Sequence, residues 1–203
     1  MKELFDIFIR SVFIDNMIFA YFLGMCSYLV ISKEVKTAFG LGMAVCFVLS
    51  ITVPLNYLID KYLLQPGALS WLSVRFADVD LSYLSLIIFI AVIAGTVQLL
   101  EMVIEKYTPG LYLSLGIFLP LIAVNCAILG GSLFMQERHF PTVIHSFSYA
   151  AGSGIGWLLA IVAFAAIRER LKYADIPKPL EGKGIAYIIT GLLGIGFMAF
   201  LGI

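Results

Sequence analysis

Apolar residues run through this chain in long blocks, separated by short polar groups. A helix needs ~20 mainly apolar residues to cross a bilayer. Six blocks reach that length: Ser11–Ile31, Thr37–Ile59, Leu81–Ile104, Leu111–Phe134, Thr142–Ile167 and Gly184–Ile203. The connections are short except for Asp60–Asp80, which carries Pro66-Gly67, Trp71 and Arg75. The pattern predicts an all-α integral membrane protein with one membrane domain over residues 1–203. Three spans fall in each half, about 1–107 and 108–203. An odd number of spans per half makes the halves insert in opposite senses, so a 3+3 inverted repeat is expected, as in many transport proteins.

Two blocks contain interruptions in matching places. Span 1 holds Leu23-Gly24-Met25-Cys26, and span 4 holds Pro120-Leu121-Ile122-Ala123-Val124-Asn125-Cys126. The two cysteines lie about half the chain apart. Were both spans continuous helices, each cysteine would sit about four residues past the midpoint of an oppositely directed helix. At ~1.5 Å per residue that separates them by roughly 12 Å along the membrane normal, too far to bridge one small metal centre. A break near each cysteine removes the offset. Gly24 has the conformational latitude for one, and Pro120 removes a backbone donor and crowds the preceding turn. Broken half-helices are therefore expected in spans 1 and 4. Irregular backbone at membrane depth must be covered by protein, so both breaks should face a partner or the bundle interior.

Composition agrees with this picture. The chain has 203 residues, of which 62% are hydrophobic and 13% charged, against about a quarter charged in soluble domains. Thirteen basic residues balance thirteen acidic ones, which argues against nucleic acid as a partner. The first block follows Lys2, Glu3, Asp6 and Arg10 without a small-residue cleavage site, so it reads as a retained helix. Three cysteines without a secretory pattern do not make a disulfide framework. No polar stretch could fold a nucleotide-binding domain, so NADH, flavin-nucleotide or ATP chemistry must belong to other chains.

Basic residues orient the spans. Lys33, Lys36, Lys106, Arg168, Arg170, Lys172, Lys178 and Lys183 follow spans 1, 3 and 5. The opposite side holds fewer bases and is rich in acids: Glu3, Asp6, Asp15, Asp60, Asp78, Asp80 and Glu137. The positive-inside bias puts both termini on the non-cytoplasmic side.

Candidate chemistry centres on Cys26 and Cys126. Free cysteines are often simply buried packing residues. The alternative is thiolate ligation of an iron–sulfur cluster, which usually takes four cysteines, so two imply a partner. Amides freed by a break could also donate to cluster sulfurs. Cys46, mid-span between Val45 and Phe47, reads as packing. Asp15 and Asn16 open span 1, where Asp15 suits a helix cap; Asn125 is deeper, where an unpaired amide is costly. Gln98, Glu101 and Glu105 share one helix face and either snorkel, pair with Lys106 or line a cation path. Gly152-Ser153-Gly154-Ile155-Gly156 lacks the strand that a nucleotide loop requires. Gly152 and Gly156 instead make a small-residue face for close helix packing, and Gly191, Gly194 and Gly196 fit the same use. His139 and His145 lack carboxylate support for a metal. From the residues alone, a transporter or channel half with incidental cysteines also remains open.

Longer runs resemble a known family. They include Phe13-Ile14-Asp15-Asn16-Met17, Phe22-Leu23-Gly24-Met25-Cys26 and the stretch from Ser32 to Gly42. Further runs are Leu115 to Ile128, Gly152-Ser153-Gly154-Ile155-Gly156-Trp157, and Ile167 to Pro177. Over nearly the whole chain these are similar to the E-type subunit family of sodium-pumping NADH:quinone reductases. The paralogous A-type subunit of the ferredoxin–NAD (Rnf-type) complex shares the Leu-Gly-x-Cys and Asn-Cys segments. Gly-Met-Cys26 and the run ending at Trp157 look more like the E-type protein. The resemblance implies a bacterial inner-membrane subunit paired pseudo-symmetrically with a paralogous D-type protein, in a six-subunit complex that also holds A-, B-, C- and F-type subunits. It implies one intramembrane 2Fe-2S cluster, to which Cys26 and Cys126 contribute this chain's share, with Gly24, Met25 and Asn125 around them. It also implies electron relay across the membrane coupled to sodium export, with NADH, FAD, FMN, riboflavin and ubiquinone on other subunits. The family pattern calls for no cysteine at position 46.

Overall fold

A computed structural model describes residues 2–64, 84–107, 119–175 and 177–199. The described elements are all helical. In order they are α1 (Lys2–Phe13), α2 (Met25–Ile31), α3 (Val35–Ile59, continued by a π-helical segment Asp60–Leu64) and α4 (Ser85–Tyr107). After these come α5 (Leu119–Ala123), α6 (Cys126–Arg138), α7 (Val143–Leu171) and α8 (Lys183–Met198). Three stretches are long and apolar enough to cross a membrane: Val35–Leu64, Ser85–Tyr107 and Val143–Leu171; Lys183–Met198 is apolar but shorter. Pro66, Gly67, Trp71 and Arg75, and the expected start of span 4 from Leu111, lie outside the described residues.

The spine is α7, about 43 Å long at 1.5 Å per residue, with α3 and α1 packed along it. Its small residues set the closeness of both contacts. A Cβ at Gly152 would stand 2.7 Å from the Phe8 carbonyl oxygen, and one at Gly156 would stand 2.7 Å from that of Val12. One turn earlier, Ser148 Oγ donates to the Leu4 carbonyl at 2.7 Å. On the α3 side, Gly154 meets the Cys46 backbone, where a Cβ would lie 2.8 Å from its Cα. Cys46 is thus a packing residue between α3 and α7, and the small-residue face expected at Gly152 and Gly156 is the α1 seat.

The contacts of Leu4, Phe8 and Val12 with Ser148, Gly152 and Gly156 fix α1 parallel to α7 from its first turn. The first helix therefore begins at Lys2, well before the expected Ser11. Lys2, Glu3, Asp6 and Arg10 are exposed on its outer side while Ser11 and Val12 are buried. Charges that broke the apolar block in sequence are one face of an amphipathic helix.

Among its described residues, helix α4 buries Ser85 and the apolar stripe Phe89, Ile93 and Val97, while Leu86, Ile87, Ile90, Leu99, Met102 and Val103 are exposed. Gln98 and Glu105 lie on its exposed surface. Among the described residues no ion pair joins Glu101 or Glu105 to Lys106, which lies over the Tyr107 ring at 6.0 Å. The expected close packing at Gly191 and Gly196 is absent among the described residues: a Cβ at either meets nothing within 4 Å. Both face outward from α8, and only Gly194 has a neighbour, Phe19 at 3.8 Å from such a Cβ.

Candidate functional site

The first break spans Ile14 to Gly24, wider than the glycine alone suggests. Helix α1 ends where the Ile14 and Asp15 amides share the Arg10 carbonyl, at 2.9 and 2.8 Å. Asn16, fully buried, then supplies what the lost helix no longer does. Its Oδ1 accepts from the Ile18 amide at 3.0 Å. Its Nδ2 donates to Val12 O at 3.0 Å and to Gly156 O of α7 at 2.9 Å. A helical turn follows, with Phe22 N–H donating to Ile18 O at 3.0 Å, and Leu23 N–H reaches back six residues to Met17 O at 2.8 Å. Phe22, at the end of this turn, takes a left-handed conformation, φ 58°. Gly24, at φ 80°, restarts the chain as α2. At the far end of that helix Arg168 donates to Leu29 O at 2.7 Å and to Ser32 Oγ at 2.9 Å, satisfying a terminal carbonyl.

The second break is compact. It falls after Ala123, not at Pro120, which lies within α5. Asn125 ends the turn in an extended conformation, and its Oδ1 accepts from the Ala127 amide at 3.0 Å, capping α6. Its Nδ2 donates to Ser27 Oγ on α2 at 3.3 Å. One buried amide thus starts one half-helix and ties it to the other, which answers the cost expected of an unpaired Asn125.

The breaks meet at a single joint. A Cβ at Gly24 would lie 2.9 Å from Asn125 Oδ1, 3.1 Å from Ala127 Cβ and 2.7 Å from Trp157 Nε1. Trp157 is the middle residue of α7 and fully buried. From this level α2 runs toward the Arg168 end of α7. Helix α6 runs the other way, to Arg138, whose guanidinium lies 5.1 Å from the Tyr149 ring centre. The two half-helices therefore start together and diverge. Cys26 is the second residue of α2 and Cys126 the first of α6. Both are exposed, as are Phe22 and Val124 beside them, at 64% and 72%. Among the described residues no three His, Cys, Asp or Glu side chains group to hold a metal ion. Among the described residues the half-helix starts offer two thiols, Cys26 and Cys126.

Other expected residues have structural roles. Asp15 is not a helix cap. Arg138 Nη2 lies 2.9 Å and Arg10 Nε 3.4 Å from its Oδ2, clamping the first break to the end of α6. His145 does have a carboxylate nearby, Glu3 at 3.9 Å, and its ring shares a 2.6 Å hydrogen bond with Thr142. His139 takes a left-handed conformation as the C-cap of α6.

Over residues 4–203 the chain matches the family model described as Rnf-Nqr subunit, membrane protein. The chain belongs to the Rnf-Nqr family. A relative from Maridesulfovibrio salexigens is 54% identical over 203 residues, covering 100% of this chain and 99% of its own. Relatives from Psychrobacter sp. and Idiomarina loihiensis are 55% and 56% identical, covering 100% of this chain and 98% and 99% of their own. All three are named as the E-type subunit of Na(+)-translocating NADH-quinone reductase, an enzyme complex. Within this family assignment, residues missed from sequence stand out. Asn16 and Arg168 were present in the matched runs, but nothing in their spacing says that one fastens the first break and the other α2. Trp157 closes the Gly152–Gly156 run, and its indole, set against Gly24, has no signature in that spacing.

Proposed function

We propose that the chain is the E-type membrane subunit of a sodium-translocating NADH:quinone reductase, relaying electrons through a 2Fe-2S cluster it shares with a paralogous D-type subunit. On this reading the chain is one domain of six spans, in which α1–α2 and α5–α6 are the broken spans 1 and 4 of a 3+3 inverted repeat. It sits in a bacterial inner membrane with both termini periplasmic. The A-, B-, C- and F-type subunits carry the NADH, flavin and ubiquinone chemistry.

The observation that carries the reading is the joint at Gly24, Asn125 and Trp157, from which two half-helices diverge with a cysteine at each start. The donor set fits an iron–sulfur centre: two thiols of one chain are half of the usual four. Their exposure matters because bare break backbone is not stable against lipid, so that face calls for a second protein. Cys26 and Cys126 would hold iron as thiolates. When bound, the cluster supplies one-electron chemistry. Asn125 keeps the first turn of α6 in place, and the N-terminus of that helix favours negative charge at Cys126. Gly24 lets the chain approach Trp157 and Asn125 closely, and Met25 leads from it into Cys26. Phe22 and Val124 would exclude water once a partner covers them. No substrate is turned over on this chain.

Identity of 53–56% to relatives named as the E-type protein favours this assignment over the A-type protein of the Rnf complex. The test is the complex carrying Cys26→Ser and Cys126→Ser together. It should assemble, lose two irons per complex and the matching EPR signal, and fail to pass electrons from NADH to quinone. Full activity with unchanged iron would leave a cation transporter with incidental cysteines as the better reading.

A further inference from the structure

Away from the joint, α3 and α6 face each other through two polar rungs. Asn56 Nδ2 donates to Ser132 Oγ at 2.8 Å. Gln136 Nε2 donates to Asp60 Oδ1 at 2.9 Å. Each pair is four residues along from the other on both helices, so the rungs stack roughly 6 Å apart. Asn56 and Ser132 are fully buried and Asp60 is 6% exposed. Interhelical hydrogen bonds of this kind act as glue in membrane bundles. Two features exceed that role. Asn56 Oδ1 is buried with no hydrogen-bond donor among the described residues, and a carboxylate stands one turn away on the same face. Asp60 is buried near the C-terminal end of the Val35–Leu64 stretch, and buried ionisable groups in membrane segments are functional candidates. At Asp60 the helix also widens into a π-helical segment, Asp60–Leu64, an irregularity frequent at functional sites.

We propose that this seam binds a sodium ion through oxygens of Asn56, Asp60, Ser132 and Gln136. The set offers a carboxylate, amide carbonyls and a hydroxyl, the oxygen donors that hard cations take. Three of the four donors are neutral, and so low a ligand charge suits a monovalent ion better than calcium. The Tyr57 hydroxyl, donating to Phe140 O at 2.9 Å, places the seam's end beside the α6–α7 turn. That end lies opposite the Arg168 end of α7. Ser132 lies six residues along α6 from Cys126, about 9 Å. A cation there is attracted by negative charge gathered at that thiolate, and by linkage its binding favours such charge in return. The site deepens the proposed sodium-translocating role and rests on it.

The test uses the oxidised whole complex without NADH, titrated with 22Na+. Asn56→Leu and Asp60→Asn should each remove one bound sodium per complex or weaken it at least tenfold. Ser132→Ala, which deletes only a hydroxyl, should weaken it several-fold and keeps the test decisive if the other two fail to assemble. Potassium should not compete at equal concentration. Unchanged stoichiometry and affinity in an assembled Ser132→Ala complex with full iron content would overturn the site and reduce the seam to packing. Iron content is read separately, so loss of the cluster reading and loss of the sodium site are distinguishable.

Discussion

Gly24→Ala tests the joint most sharply. The residue sits at φ 80°, and a Cβ there would stand 2.7 Å from Trp157 Nε1 and 2.9 Å from Asn125 Oδ1. Leaving an L-residue in that conformation costs roughly 1–2 kcal/mol, and overpacking a buried contact adds about 1–3 kcal/mol. Together they make about 2–5 kcal/mol, a large share of the 5–15 kcal/mol that stabilises a typical domain. Two other glycines separate the causes. Gly182 has φ 87° and ψ −112°, a conformation less open to an L-residue than that of Gly24, but a Cβ there meets nothing within 4 Å, so Gly182→Ala carries a conformational cost and no clash. Gly191 lies in α8 with open space, so Gly191→Ala should be neutral or stabilising by up to about 1 kcal/mol in the isolated chain. Thermal unfolding of the purified complex, read alongside iron content, ranks the three. Gly24→Ala and Gly182→Ala should both destabilise, Gly191→Ala should be harmless, and iron should be lost only from the first. Full iron content in Gly24→Ala, or destabilisation there no greater than in Gly191→Ala, would refute the close seat against Trp157 and Asn125.

Other expectations follow from the same contacts. Gly152→Ala forces a Cβ to 2.7 Å from a backbone oxygen of α1; it should cost about 1–3 kcal/mol, seen as a lowered melting temperature. Arg138→Gln removes the 2.9 Å clamp on Asp15, whose side chain is 14% exposed. The expected loss is about 1.5–3 kcal/mol, and a double-mutant cycle with Asp15→Asn should recover most of it as coupling. Arg168→Met strips α2 of its bonds to Leu29 O and Ser32 Oγ, so hydrogen exchange of the α2 amides should quicken while α7 stays protected. Cys46→Ala trims a packing contact and should leave iron content untouched.

The helical membrane class was legible because apolar block length needs no tertiary information. The helix interruptions beside Cys26 and Cys126 were legible too, because Gly24 and the Pro120–Asn125 stretch broke their apolar blocks in matching places. Their construction was not. Pro120 looked like the breaker, yet it lies inside α5; the break follows Ala123, and the Asn125 side chain caps the helix that starts after it. The first break begins at Ile14, where Asn16 replaces helix hydrogen bonds with contacts to Val12 and to Gly156, 140 residues away. A partner so distant in sequence leaves no local signature. The same holds for Arg138 with Asp15, and for Asn56 with Ser132. Glycines divided by context. Gly152 and Gly156 pack as their spacing predicts, whereas Gly191 and Gly196 have the same composition but no neighbouring helix among the described residues.

If Cys26 and Cys126 face cysteines of a second protein chain across one iron centre, stripping the metal must leave thiols within reach of one another. Removing iron from the detergent-purified complex with a chelator, then oxidising briefly, should link each of them to that neighbour as an intermolecular disulfide visible on a non-reducing gel. The iron-loaded complex should give no such product, and Cys46 should stay unlinked in both. Free, maleimide-reactive Cys26 and Cys126 in the iron-loaded complex, with no intermolecular product after iron removal, would contradict it.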